Sequence, residues 1–286
     1  MRKKKEIIKI TDAPALEEEV TEQIIYIPEI ETSSAIHVGN RSYQQDRVYV
    51  SKGAKLRANE TLRFFATVCD GMGGMTDGGK ASEIAVSLLK KRFEEIKTLR
   101  SVDIPAFFDS VMKEADEAIS QVPKENGRGS GTTMVSVIVE DNRFWWASAG
   151  DSRIYYLHSG QMKQLTRDHN YDMVLKQRIE NGEMSHDEYE MQKQKEALVS
   201  FLGIGNLRIK DISDMPVLLQ EGDIIMLCSD GICKTLDDDE IARTLLDQSV
   251  KDKAKTLVEK AVTKNTSTQD NTSVAIINYK STPIVG

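Results

Sequence analysis

Five aspartates lie at the ends of segments whose composition predicts β-strands. Asp70 follows FFATVC, Asp151 follows FWWASAG, Asp230 follows IIMLCS, Asp46 precedes RVYV and Asp270 precedes SVAIINY. Strand ends are where a sheet scaffold presents functional side chains. Carboxylate oxygens, in a chain with only four histidines and three cysteines, favour hard divalent cations such as Mg²⁺ or Mn²⁺. If the five carboxylates converge, bound cations are the natural means of neutralising their repulsion.

The segments between these aspartates predict the scaffold that positions them. Apolar and β-branched runs predict strands at residues 48–51, 62–69, 132–139, 144–148, 154–158, 224–228 and 273–279. Apolar residues at helical spacing predict helices at residues 82–96, from 105 onwards, at 237–247 and at 250–264. In the third of these helices, Asp237 and Glu240 form a capping-box pattern. Strands and helices come in blocks, which favours an α+β sandwich over a parallel doubly wound sheet.

Composition sets the broad class of protein. The chain has 286 residues, 40% of them hydrophobic and 29% charged, with a formal net charge of −7. This acidic balance argues against nucleic acid or an anionic membrane as a partner, and no apolar run approaches the ~18 residues of a membrane helix. Three cysteines without a C-x-x-C pair are typical of a reducing, cytoplasmic environment. We expect residues 1–30 to form a loosely held arm and residues 31–286 to form a single domain.

Several motifs, in their order along the chain, resemble the metal-dependent Ser/Thr protein phosphatases of type 2C, in their bacterial form. The resemblance spans roughly residues 37–279. Its motifs are R-x-x-x-Q-D at 41–46, FFATVCDGMGG-x4-G-x-AS at 64–82, SGTT at 130–133, ASAGDSR at 147–153, LTRDH at 165–169, IIMLCSDGI at 224–232 and QDNTSVAI at 269–276. Each motif is weak alone, and together they are specific. The resemblance implies a four-layer α-β-β-α sandwich of two mainly antiparallel sheets.

The resemblance also implies a role for each aspartate. Asp70 would bridge two Mg²⁺ or Mn²⁺ ions, one of them also bound by the Gly71 carbonyl, while Asp230 and Asp270 would hold the other ion. Asp46 would orient the metal-bound water. Asp151 and Asp230 would form a third, weaker site. Arg41 would bind the substrate phosphate, which suits a planar guanidinium that meets two oxygens at once.

The implied reaction is hydrolysis of phosphoserine or phosphothreonine by a water or hydroxide that bridges the two ions. The implied partner is a phosphorylated protein, plausibly a Ser/Thr kinase or its targets, and we expect a monomer. Gln45 stands where many members of the family have an acid, so we expect altered binding of the second ion. The segment at about residues 170–205 corresponds to the family's variable flap, and we expect residues 172–194 to form helical fragments in a mobile insertion. The flap sequence differs from the usual one, so the resemblance does not imply the choice of substrate.

Two alternatives remain open at the sequence level. Residues 74–80 read G-x-x-x-x-G-K, the start of a phosphate-binding P-loop between a strand and a helix, although Ala81 stands where the Mg²⁺-binding hydroxyl belongs. The chain could also be a catalytically weak regulatory relative with the same fold. Taken singly, each Asp–Gly pair, at 70–71 and at 230–231, is also common turn chemistry.

Overall fold

Two antiparallel sheets form the centre of the molecule. The computed structural model describes residues 24–52, 61–73, 77–99, 102–123, 129–264 and 267–285. Its strands are β1 (Ile24–His37), β2 (Arg47–Val50), β3 (Arg63–Cys69), β4 (Gly71–Met72), β5 (Gly131–Thr132), β6 (Met134–Glu140), β7 (Arg143–Ala149), β8 (Arg153–His158), β9 (Gln161–Gln164), β10 (Asp211–Ile212), β11 (Val217–Leu218), β12 (Ile224–Cys228) and β13 (Thr272–Val285). Its helices are α1 (Asp77–Glu95), α2 (Ile104–Ser120), α3 (Tyr171–Glu180), α4 (His186–Glu190), α5 (Asp230–Cys233), α6 (Asp238–Leu246) and α7 (Lys253–Lys264).

One sheet has the strand order β1-β13-β12-β8-β9, and the other has the order β10-β7-β6-β3-β2, with β11 also pairing β7. Every pairing between neighbouring strands is antiparallel. The sheets join strands that are far apart in the chain, since β1 pairs with β13 along its whole length. The antiparallel pairing confirms the α+β class and is incompatible with a doubly wound parallel sheet.

Alternating side chains of each strand face two different apolar regions: the core between the sheets and the core under the helices that cover that sheet. Phe64 of β3 and Ile225 of β12 face each other in the core between the sheets. Phe65, on the opposite face of β3, packs under α1 and α2. Met226, on the opposite face of β12, packs under α6 and α7. The period of two in each strand therefore produces the four layers α-β-β-α.

Local sequence signals account for where the helices start. Asp103 caps α2 by accepting a hydrogen bond from the Ala106 N–H at 3.0 Å. The predicted capping box of α6 is present, because the Asp237 carboxylate and Glu240 satisfy each other's backbone N–H groups. Helix α1 begins at Asp77, five residues before the predicted start. Its first turn contains Gly78 and Gly79, which carry no apolar side chain to reveal a helical period.

The predicted boundary between arm and domain falls inside a strand. Residues 24–30 are part of β1, in register with residues 279–285 of β13, and Ile30 is only 5% exposed in the core. Pro28 is tolerated there because β1 is an edge strand of its sheet. Residues 1–23 lie outside the described residues, and the expectation that they belong to a loosely held arm stays a prediction. Among the helices described, not one combines the length and apolar composition that a membrane crossing requires.

Candidate active site

The five aspartates come together where strands of both sheets end. Asp46, Asp70 and Asp151 adjoin β2, β3 and β7 of one sheet, and Asp230 and Asp270 adjoin β12 and β13 of the other. The charges of the other four all act on the Asp70 carboxyl. Stacking of two sheets therefore places carboxylates that are up to 224 positions apart in the chain around one point.

The SGTT segment holds the backbone of Asp70 in place. The Asp70 carbonyl accepts hydrogen bonds from the Thr133 N–H at 2.8 Å and from the Thr132 hydroxyl at 2.9 Å. The Asp70 N–H donates to the Thr133 hydroxyl at 3.0 Å. These bonds leave the Asp70 carboxyl free to point into the site while its main chain is rigid.

The glycines after Asp70 and Asp230 are required by close backbone approach. A Cβ on Gly71 would lie 2.1 Å from the Gly78 carbonyl oxygen, and a Cβ on Gly231 would lie 2.1 Å from the Asn271 carbonyl oxygen. Gly71 is in strand β4 and Gly231 is in helix α5. The alternative that these Asp–Gly pairs are simple turns is therefore wrong: they are contact points that pack the loops of the site against one another.

The crowding of acids raises their pKa values. For Asp70, desolvation is the largest cause, although part of its surface remains accessible, and the charge of Asp46 comes next; the pKa lies well above its usual range. Burial raises the pKa of Asp46 to about 6, with Asp230 adding to the effect and the nearby Ser229 and Ser273 hydroxyls opposing it. Burial, and then the charge of Asp230, also raises the pKa of Asp151. Carboxylates that destabilise one another's charged forms in this way need a positive charge nearby, as is typical of a functional site.

Three buried carboxylate oxygens of this cluster have no hydrogen-bond partner of good geometry among the described residues. Both carboxylate oxygens of Asp46, which is 0% exposed, and the Oδ1 atom of Asp230 lie without a hydrogen bond of good geometry to any described residue. Unsatisfied buried carboxylate oxygens are costly. A donor set made only of oxygens fits hard divalent cations, so the residues present are chemically suited to Mg²⁺ or Mn²⁺.

Two basic side chains currently neutralise part of this charge. The Lys234 ammonium lies 2.9 Å from carboxylate oxygens of both Asp151 and Asp230. The Arg41 guanidinium lies 2.6 Å from Asp270. Among the described residues, no group of three or more Asp, Glu, His or Cys side chains is arranged as a preformed metal site.

Asn271 is a positioning residue that the sequence analysis did not assign. Its side-chain oxygen accepts from the Gln45 N–H at 2.7 Å, and its amide nitrogen donates to the carbonyls of Val38 at 2.8 Å and Tyr43 at 3.1 Å. These three bonds fix the loop that carries Arg41 beside Asp270. Asn271 is part of the motif QDNTSVAI, in which only Asp270 was assigned a role.

The flap contains short helical segments, as predicted. Helices α3 and α4 lie in it, and its end is tied to α2 by the buried Asp116 carboxylate. That carboxylate accepts from the N–H groups of Gly203 at 2.8 Å, Gly205 at 3.0 Å and Leu207 at 3.1 Å. The expected mobility of this segment stays a prediction.

The strand pairing around β3 contradicts the P-loop interpretation. β3 pairs antiparallel with both β2 and β6, whereas a P-loop connects a strand and a helix of a parallel βαβ unit. Lys80 is exposed within the first turn of α1, and residues 74–76 lie outside the described residues.

The α-β-β-α sandwich with an acidic cluster at its strand ends defines the structural class, and comparison with known proteins identifies the family. The sequence model described as Protein phosphatase 2C matches residues 34–265. Protein phosphatase PhpP of Streptococcus pneumoniae is 30% identical over 254 residues, which cover 87% of this chain and 97% of PhpP. The serine/threonine phosphatase Stp of Listeria innocua is 29% identical over 224 residues, which cover 77% of this chain and 86% of Stp.

Solved structures share the fold. The serine/threonine phosphatase of S. agalactiae superposes with a TM-score of 0.73 at 26% identity, covering 87% of this chain and 98% of that structure. The catalytic domain of PstP, solved in complex with 2 manganese ions, superposes with a TM-score of 0.69 at 23% identity, covering 88% and 99%. The chain therefore belongs to the protein phosphatase 2C family and is a protein phosphatase.

Proposed function

We propose that this chain is a metal-dependent serine/threonine phosphatase that hydrolyses phosphoserine and phosphothreonine in proteins with Mg²⁺ or Mn²⁺. The observation that carries the proposal is the convergence of five carboxylates on one site, with buried oxygens that have no partner among the described residues. Family membership and the names of the relatives support the class of reaction. Phosphorylated proteins, among them a Ser/Thr kinase or its targets, are the partners that this reaction would require.

The family resemblance supports an assignment of the cation ligands. Asp70 and the Gly71 carbonyl would hold one of two ions, and Asp230 and Asp270 would hold the other, with Asp70 shared between them. When bound, such ions lower the pKa of a water molecule and neutralise charge on a phosphoryl group. The buried Asp46 carboxylate would accept a hydrogen bond from the attacking water and fix its direction toward phosphorus.

Arg41 would bind the phosphate at the rim of the site. Its side chain is 60% exposed, so it can leave Asp270 when that carboxylate binds a cation. The loop that carries it is held by Asn271, which keeps the guanidinium within reach of the site. A planar guanidinium can then donate to two phosphoryl oxygens.

The expected cellular setting belongs to the same proposal. Cys69, Cys228 and Cys233 are all free thiols, as a reducing compartment such as the cytoplasm would maintain. The expectation of a monomer stays a prediction.

The test is an assay of p-nitrophenyl phosphate and of matched phosphothreonine and phosphotyrosine peptides in EDTA, in Mg²⁺ and in Mn²⁺, beside an ATPase assay. We expect hydrolysis of the aryl ester and of the phosphothreonine peptide only with added cation. Undiminished turnover in EDTA would contradict the metal dependence. Cation binding without turnover of any phosphate ester would instead favour the regulatory relative, and faster cleavage of phosphotyrosine would contradict the proposed substrate class.

A further inference from the structure

The Asp151–Asp230 pair already contains a cation, and that cation belongs to the protein. The Lys234 ammonium lies 2.9 Å from Oδ2 of each carboxylate, and Glu196 of the flap lies 3.8 Å from it on a third side. One positive charge therefore sits among three carboxylates. This is the position at which the resemblance implied a third, weaker divalent ion.

The two carboxylates that hold this ammonium are little exposed. The side chain of Asp151 is 5% exposed and that of Asp230 is 19% exposed, so the two carboxylates would repel each other strongly without a counter-ion. The Lys234 side chain itself is 36% exposed, and its ammonium lies within hydrogen-bond distance of both carboxylates.

The chain also holds the ammonium at this place. Lys234 caps the end of α5 and lies one helical turn after Asp230, at the i,i+4 spacing that brings the two side chains together. A group tethered in this way has a far higher effective concentration at the site than a dissolved ion. A third divalent ion would have to displace the Lys234 ammonium from both carboxylates before it could bind them.

Arg41, the other basic side chain of the site, differs in each of these respects. It binds a single carboxylate, and both members of its pair are substantially exposed, at 60% and 40%. A cation arriving at Asp270 can therefore displace Arg41 into solvent at little cost. Arg41 is therefore a counter-ion that a bound cation can replace, whereas Lys234 is held beside its two carboxylates by the chain.

We propose that the Lys234 ammonium takes the place of a third divalent cation between Asp151 and Asp230, so that this chain binds no ion there. The inference rests on the proposed metal-dependent function for its significance. It assigns Lys234 as a positioning residue that holds the loops of Asp151 and Asp230 at a fixed separation.

The experiment counts bound Mn²⁺ by titration, with the free ion measured by electron paramagnetic resonance. Lys234→Met, which keeps the aliphatic stem, and Lys234→Gln, which keeps a hydrogen-bond donor, are compared with the full-length wild-type chain. We expect each variant to bind about one further ion per chain, because Asp151 and Asp230 lose the ammonium that lies between them. The double variant Lys234→Met/Asp151→Asn should lose that additional ion. Using two variants guards against one that fails to fold, which circular dichroism detects.

Lys113→Met is the matched control, since Lys113 forms a 2.6 Å ion pair with Asp109 on α2, and it should bind as many ions as the wild type. Lys234→Arg, which restores a cation, should do the same. No additional ion in either folded Lys234 variant would overturn the inference, as would a wild-type ion that Asp151→Asn removes. The wild-type baseline, about two ions, separately tests the proposed function.

Discussion

At the scale of single residues, Asp70 combines the largest proposed contribution to function with a cost to stability. Its pKa is raised well above the usual range by desolvation and by four other acids, so its charged form is unfavourable in the metal-free fold. Its backbone is fixed by Thr132 and Thr133. A carboxylate held rigidly where it is electrostatically unfavourable is typical of a functional site.

We expect Asp70→Asn to melt at a higher temperature than the wild type in EDTA at pH 7, because it removes a destabilising charge without changing the shape of the side chain. The same variant should lose Mn²⁺-dependent hydrolysis by more than about a hundredfold. Melting curves and the aryl-phosphate assay test both effects. Asp214→Asn, at an exposed position, should change neither; equal melting of Asp70→Asn and wild type in EDTA would contradict the electrostatic argument.

At the scale of elements, loops at the strand ends are held by side chains from neighbouring elements. Asn271 holds the loop of Arg41, and Asp116 of α2 holds residues 203–207, at the end of the flap. Both act by satisfying backbone groups that would otherwise be buried without partners. The flap is thus attached to the rigid helical layer at its end.

Asp116→Asn replaces an acceptor of three backbone N–H groups with a side chain that has only one acceptor oxygen. We expect a loss of about 1–3 kcal/mol in the free energy of unfolding, since a buried N–H is left unsatisfied. Urea denaturation measures it. Asp109→Asn on the same helix breaks exposed ion pairs with Lys113 and Lys210 and should cost less than about 1 kcal/mol. Equal losses in the two variants would show that Asp116 does not anchor the flap.

At the scale of the whole molecule, the formal charge of −7 is unevenly placed. Five acids lie in one site that is built from both sheets. Two divalent ions bound there would change the net charge to about −3 and would make the site able to accept an anionic phosphate. The acidic composition therefore argues against nucleic acid while remaining compatible with a phosphorylated substrate.

The acidic site also predicts how stability depends on pH without metal. The pKa of Asp46 is about 6 in the fold against 3.8 ordinarily, so the folded chain binds more protons than the unfolded chain between these values. The Asp46 contribution to the free energy of unfolding should therefore fall as pH rises through this window, by about 3 kcal/mol in total. Comparing wild type with Asp46→Asn in EDTA at several pH values isolates this contribution. A difference that does not vary with pH would contradict it.

Much of the scaffold could be predicted because its signals are local. The apolar runs of β3 and β12, and the capping box at Asp237, depend on neighbours within a few residues. The start of α1 could not be placed, since Gly78 and Gly79 carry no pattern. The pairing of residues 24–30 with β13 could not be predicted, because the two segments lie some 250 positions apart in the chain.

The sequence is sufficient to identify the available side chains and their position at strand ends: five aspartates, Arg41 and the glycines beside them. Which of these side chains meet depends on the fold. Stacking of the two sheets brings Asp46 and Asp70 to Asp230 and Asp270, and it places Lys234 between Asp151 and Asp230. Such contacts join residues with large separations in the chain, so their energies leave no periodic pattern in the sequence.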